Sequence, residues 1–141
     1  MRAWFVTVAV VGSIAGCPAV STTTFTDDPN ATTVAFDTNL TATRTRTGTS
    51  TGVEFNSTCQ GYFPATPNHT LTIANGLSME IRVSGDAGVV VWLFGEGIGN
   101  FCVRPNEPLL RFWTRGDLNV YVGSETEGAT VDYTLEFVPS S

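Results

Sequence analysis

The chain has 141 residues, room for one domain of ordinary size plus appendages and none for a second enzyme-sized domain. Acids outnumber bases 13 to 7, every base is an arginine, and the net charge of −6 opposes the phosphate backbone, so nucleic acid is not an expected partner. A chain without lysine also excludes Schiff-base chemistry and the P-loop.

Arg2 precedes the apolar run "AWFVTVAVVGSIA", Ala3 to Ala15, which is shorter than the about 20 residues of a permanent bilayer span and reads as an export signal. Ile14, Ala15 and Gly16, directly before Cys17, resemble the lipobox of bacterial lipoproteins. The resemblance implies a signal peptide over residues 1–16, a diacylglycerol thioether on Cys17, and acylation, as with palmitate, of the new amino terminus. One acyl chain holds only reversibly at about 0.8 kcal/mol per buried methylene, whereas two or three hold firmly. Localisation would then be the cell envelope, with the lipid in a membrane. Pro18 in place of an Asp matches the family's sorting to the outer membrane, on its periplasmic or surface face. The alternative is a plain secretory signal cut nearby, with Cys17 discarded.

With Cys17 consumed by lipid, Cys59 and Cys102 remain to pair in an oxidising compartment. Such a bridge closes roughly 43 residues and is worth about 4 kcal/mol on the chain-entropy model. The rival, a catalytic or metal-binding thiol, has one His and no CxxC to work with.

Residues 17–51 are rich in Thr and poor in large apolar side chains, and are expected to form a lipidated start and a flexible tether. A short strand around Val34 to Leu40 is the exception that Thr-rich sequence allows. Asn30, Asn39, Asn56 and Asn68 open N-x-[ST] sequons, which are incidental in a bacterial chain.

The folded domain is expected over residues 52–141, with an apolar period of two. In "SMEIRVSG" Met79, Ile81 and Val83 point inward; in "DLNVYVG" Leu118, Val120 and Val122 do; in "TVDYTLEF" Val131, Tyr133, Leu135 and Phe137 do. Asn75-Gly76, Gly85-Asp86, Arg115-Gly116-Asp117 and Glu127-Gly128 mark turns. "GVVVWLF", Gly88 to Phe94, is apolar on both faces, as for a central strand whose second face is covered or carries an aromatic patch. In "PLLRFWTRG" Leu110 and Phe112 share one face and Arg111 and Trp113 the other, where Arg stacked on Trp is expected at the surface. No amphipathic helix stands out. The fold class is all-β: a jelly-roll-like antiparallel sandwich of about seven to eight strands.

From Cys59 to Val138 the runs "CQGYFPATPNHTLTI", "IRVSGDAGVVVWLF", "FC", "RFWTRGDLNVYVGS" and "DYTLEF" resemble the pre-peptidase C-terminal (PPC-like) domains of secreted bacterial proteins, closest to the variant in myxobacterial exported lipoproteins. Gly116, Val120, Val122, Gly123 and Ser124, then Tyr133, Leu135 and Phe137, fit the family's closing strands, with Asn119 in place of its usual Tyr. The resemblance implies a jelly-roll-like sandwich that aids secretion, folding or adhesion.

Chemistry is sparse. His69, the sole His, has no partner in sequence for a triad or zinc site and is expected to be solvated or turn-bonding. Glu125 and Glu127 flank a loop. Asp86 is read as a turn residue, with metal ligation as the lesser alternative. No cofactor is implied and an enzyme is not expected. Two functions follow. One is a lipid-anchored envelope module that binds polysaccharide or envelope proteins through Trp92, Trp113 and Arg111; the other is an assembly accessory without a small ligand.

Overall fold

A computed structural model describes residues 32–36 and 42–140, and every regular element there is a strand. In chain order these are β1 (Thr33–Phe36), β2 (Arg44–Thr51), β3 (Glu54–Asn56), β4 (Gly61–Phe63), β5 (His69–Ile73), β6 (Leu77–Gly85), β7 (Val89–Gly95), β8 (Gly99–Val103), β9 (Leu109–Trp113), β10 (Gly116–Ser124) and β11 (Thr130–Pro139).

One sheet runs β2-β11-β6-β9. The other is built on β5-β10-β7-β8, with β1 added parallel to β5 and the β3–β4 hairpin added beside the end of β10. Counting only β2 and β5 to β11, the first, eighth, third and sixth strands form one sheet and the second, seventh, fourth and fifth the other. That interleaving is the jelly roll, two antiparallel sheets whose strands alternate along the chain. The expected fold class is therefore the one observed, with β1, β3 and β4 as additions.

The alternating apolar positions meet between the sheets as anticipated. Met79, Ile81, Val83, Leu135 and Phe137 from one sheet pack on Leu71, Val91, Leu93, Leu118, Val120 and Val122 from the other, all buried. Phe36 of β1 meets Phe137 edge-on at 5.8 Å.

Two expectations are corrected. The stretch read as a tether includes β2, which pairs with β11 over eight residues from Thr130↔Thr51 to Phe137↔Arg44. Its inward positions are Arg44, Arg46, Gly48 and Ser50 rather than aliphatics, so the hydrophobic signal of a strand is missing. Arg46 is buried in spite of its charge, and its guanidinium donates to the backbone oxygens of Thr45 at 2.9 Å and Thr33 at 3.2 Å, tying β2 to β1. The second correction concerns β9, whose Trp113 is wholly buried while Leu110 and Phe112 are 57% exposed. Trp113 Nε1 donates to the Met79 carbonyl at 2.9 Å, which satisfies the one polar atom that core burial of an indole would strand.

Candidate ligand-binding face

Because β7 and β10 lie side by side, the side chains that point away from the core form cross-strand rows on one outer surface. One row is Tyr121–Trp92–Cys102, and the next is Asn119–Phe94–Asn100, which β5 extends with Thr70. Trp92 stacks on Tyr121 with centroids 4.5 Å apart and planes 23° apart, and Phe94 lies 6.2 Å from Trp92. The Trp92 Nε1 donates to Asn100 Oδ1 at 3.0 Å, and Thr70 Oγ1 donates to Asn119 Oδ1 at 3.2 Å. Both Asn amide nitrogens thus point their donors elsewhere, and among the described residues neither has a hydrogen-bond acceptor.

The rows rest on a second, smaller core. Cys59, Phe63 and Val90 are buried on this outer side of the sheet and carry Trp92, Cys102 and Tyr121 at its rim. Cys59 and Cys102 are joined by a disulfide with a Cα separation of 5.4 Å. The bridge fastens the turn before β4 onto β8, which brings Phe63 to 5.8 Å from Trp92. Asn56 Oδ1 accepts from the Cys59 amide at 3.0 Å, and Gln60 takes a left-handed φ of 52°, closing that turn. Asn56 and Asn68 therefore both have internal roles, since Asn68 Oδ1 accepts from the Val122 amide at 2.7 Å and its Nδ2 donates to Ser50 Oγ.

Past the disulfide, at the end of the same sheet, is a cleft of about 230 Å³ lined by Gly88, Val89, Arg104, Pro105, Asn106, Glu107 and Glu125. Arg104 is occupied there: its Nη2 donates to the Cys59 carbonyl at 2.7 Å and its Nε lies 3.4 Å from Glu125 Oε2. The guanidinium works as a brace for the turn that carries Cys59.

The residues singled out in sequence are dispersed. Trp92 is half-buried on the aromatic face, but Trp113 is on the other sheet, in the core. Arg111 stays exposed at the sheet edge, its guanidinium 5.3 Å over the Trp113 ring and 4.2 Å over Phe101. Neither Trp113 nor Arg111 reaches the Trp92 face, because β9 belongs to the other sheet. Asp86 braces a turn: its Oδ2 accepts from the Asp132 amide at 2.9 Å and its own amide donates to the Asp132 carbonyl at 3.0 Å. Among the described residues no three His, Cys, Asp or Glu side chains cluster as metal ligands. His69 is buried rather than solvated, with Nε2 at 2.7 Å from the Tyr133 hydroxyl. Cys17 and residues 1–16, expected to be a signal peptide, lie outside the described residues.

Phe94, Tyr121, Asn100 and Asn119 were not singled out as site residues. Their signal is present in retrospect, since "VWLF" and "NVY" each place large rings at the outward phase of a strand whose inward phase is already filled by valine and leucine.

No protein-family model matches the chain, and no curated protein matches it in sequence. Among solved structures the chain is similar to a periplasmic inhibitor of g-type lysozyme from Salmonella Typhimurium, at 13% identity and a TM-score of 0.43 over 77% of this chain and 98% of that one.

Proposed function

We propose that the protein is an exported, non-catalytic binding module of the cell envelope, tethered through lipid on Cys17, that holds neutral polysaccharide on the face formed by Trp92, Phe94 and Tyr121. The observation that carries the reading is the row Asn119–Phe94–Asn100 beside the Trp92–Tyr121 stack. Apolar rings flanked by planar amides match a sugar, which offers C–H bonds on one face and hydroxyls at its edge. The absence of a charged side chain from those two rows favours a neutral ligand over an ionic one. Export is supported by the Cys59–Cys102 bridge, since such bonds persist where thiols are oxidised. The PPC-like reading is supported by the jelly-roll strand order and by the places of Val120, Val122, Tyr133 and Leu135 in its core.

The test is a glycan array with the exported chain, followed by Trp92→Ala and Phe94→Ala. Each substitution is expected to weaken binding about ten-fold or more, the cost of about 1.4 kcal/mol in lost ring contact. A parent chain that binds no glycan would favour the assembly accessory instead. The tether is tested separately by mass spectrometry of the mature protein, where an unmodified amino terminus beyond residue 17 would overturn it.

A further inference from the structure

Strand β1 widens the second outer row of its sheet by one residue, because Thr33 stands opposite Thr70. The row then crosses five strands as Thr33–Thr70–Asn119–Phe94–Asn100, with no charged side chain in it. Thr33, Phe94 and Asn100 are exposed, and Thr70 and Asn119 are half-buried. With neighbouring strands about 4.8 Å apart, the row is roughly 19 Å long. The row through Trp92 is shorter, since the disulfide occupies its end at Cys102.

Two amides on the longer row are set as donors. Trp92 Nε1 can only donate, so Asn100 turns its oxygen toward it, and Asn119 Oδ1 accepts from Thr70 Oγ1. Each amide nitrogen is left without an acceptor among the described residues. Asn119 and Asn100 flank Phe94 from strands two apart, so the same donor recurs after about 9.6 Å across the sheet.

We infer, resting on the polysaccharide reading of this face, that the ligand is a flat, uncharged, β-linked chain with the geometry of cellulose and chitin. It lies across the strands, one sugar to each strand, with Phe94 under one sugar ring and Asn119 and Asn100 donating to the sugars on either side. In such a chain each sugar is turned over relative to the last, so the same acceptor returns to the same edge at every second sugar. Its rise per sugar is close to the strand spacing, which brings successive equivalent acceptors to the two amides. Along a strand, outward residues are about 6.7 Å apart, a step that fits neither one sugar nor two. Coiled α-linked chains curve away from so straight a row. Exposed Asp117, two residues from Asn119 on the same face of β10, repels an anionic polymer.

The test is isothermal titration calorimetry of the full chain carrying Cys17→Ser, so that no lipid can be attached there. The ligands are cello-, N-acetylchito-, malto- and laminari-oligosaccharides, each from the disaccharide to the hexasaccharide. The cello- or the N-acetylchito-series is expected to bind about ten-fold or more tightly than the other two, and the stronger of the pair tells which sugar is taken. Affinity is expected to climb with length until the row is filled, near the pentasaccharide. Asn100→Asp keeps an acceptor for Trp92 Nε1 and loses the donor; it and Asn119→Asp are each expected to weaken binding about three- to ten-fold. Near-ultraviolet circular dichroism checks that both variants stay folded. Malto-oligosaccharides bound as tightly, an affinity already complete at the disaccharide, or aspartate variants that bind like the parent would overturn the inference and leave the polysaccharide reading standing. A parent chain that binds none of the four series would overturn it too, and the glycan array then decides the broader reading.

Discussion

At the scale of single residues, the most consequential contact is that between His69 and Tyr133, which crosses from one sheet to the other in the interior. The two rings meet edge-on at 5.8 Å, and Gly48 lies under the phenol, where a Cβ would come within 2.6 Å of the hydroxyl. Gly48→Ala is therefore expected to cost about 1 to 3 kcal/mol through overpacking, read as a lower urea midpoint. Burial pushes the Tyr133 hydroxyl from 10.0 up to about 12. In the unfolded chain the phenol ionises first, so the stability tied to it is whole below pH 10 and drains away as pH rises toward 12. A shift of that size corresponds to a loss on the order of 2 to 3 kcal/mol across the window. Tyr133→Phe removes this dependence and costs about 1 to 3 kcal/mol at neutral pH by taking away the buried hydrogen bond between its hydroxyl and His69 Nε2. Urea midpoints of the two proteins between about pH 8 and 11.5 are expected to converge as pH rises. Parallel curves would mean that Tyr133 is not the group responsible.

At the scale of elements, what could be read in the sequence follows from which faces a strand buries. Strands β6, β10 and β11 bury one aliphatic face and expose a polar one, so their period of two was plain, and β7 showed itself by being apolar on both sides. Strand β2 was hidden because its inward residues are Gly48, Ser50 and a buried Arg46, chosen to fit Tyr133, Val122 and β1 rather than to be apolar. The phase of strand β9 is masked in the sequence because its exposed residues, Leu110 and Phe112, are as apolar as a core pair. The half of the site on β7 was legible from Trp92, whereas the half on β10 depends on a strand order that no local pattern encodes. The disulfide acts at this scale too, because it fastens the turn before β4 to the outside of β8 and has no part in the core between the sheets. Cys59→Ser with Cys102→Ser is expected to lower stability by about 4 kcal/mol, the loop-closure value for a separation of 43 residues. The ring of Trp92 should feel the loss before the inter-sheet core does. Reduction in native buffer is expected to shift its fluorescence to the red while Trp113 stays buried, and Trp92→Phe is expected to abolish that shift. A shift that survives Trp92→Phe would place the loosened region elsewhere.

At the scale of the whole molecule, the jelly roll fixes where the domain must begin. Strand β11 lies inside its sheet with β6 on one side and β2 on the other, and it places Val131, Tyr133, Leu135 and Phe137 in the core. Were the chain to start at residue 52, β11 would become a bare ten-residue edge, and Tyr133 and Leu135 would lose the backbone that covers them. The inter-sheet hydrogen bonds of Ser50 would go as well, since its Oγ donates to the Val122 carbonyl at 2.7 Å and accepts from Asn68. A chain shortened to 52–141 is spared the ordering entropy of eight strand residues, but it loses the whole β2–β11 ladder and the cover of a core that folds as one unit. A chain of residues 32–141 is therefore expected to unfold cooperatively in urea, and one of residues 52–141 to aggregate or melt without a cooperative transition. Equal midpoints for the two would show that β2 is an ornament on the sandwich and that the Thr-rich segment is, after all, only a tether.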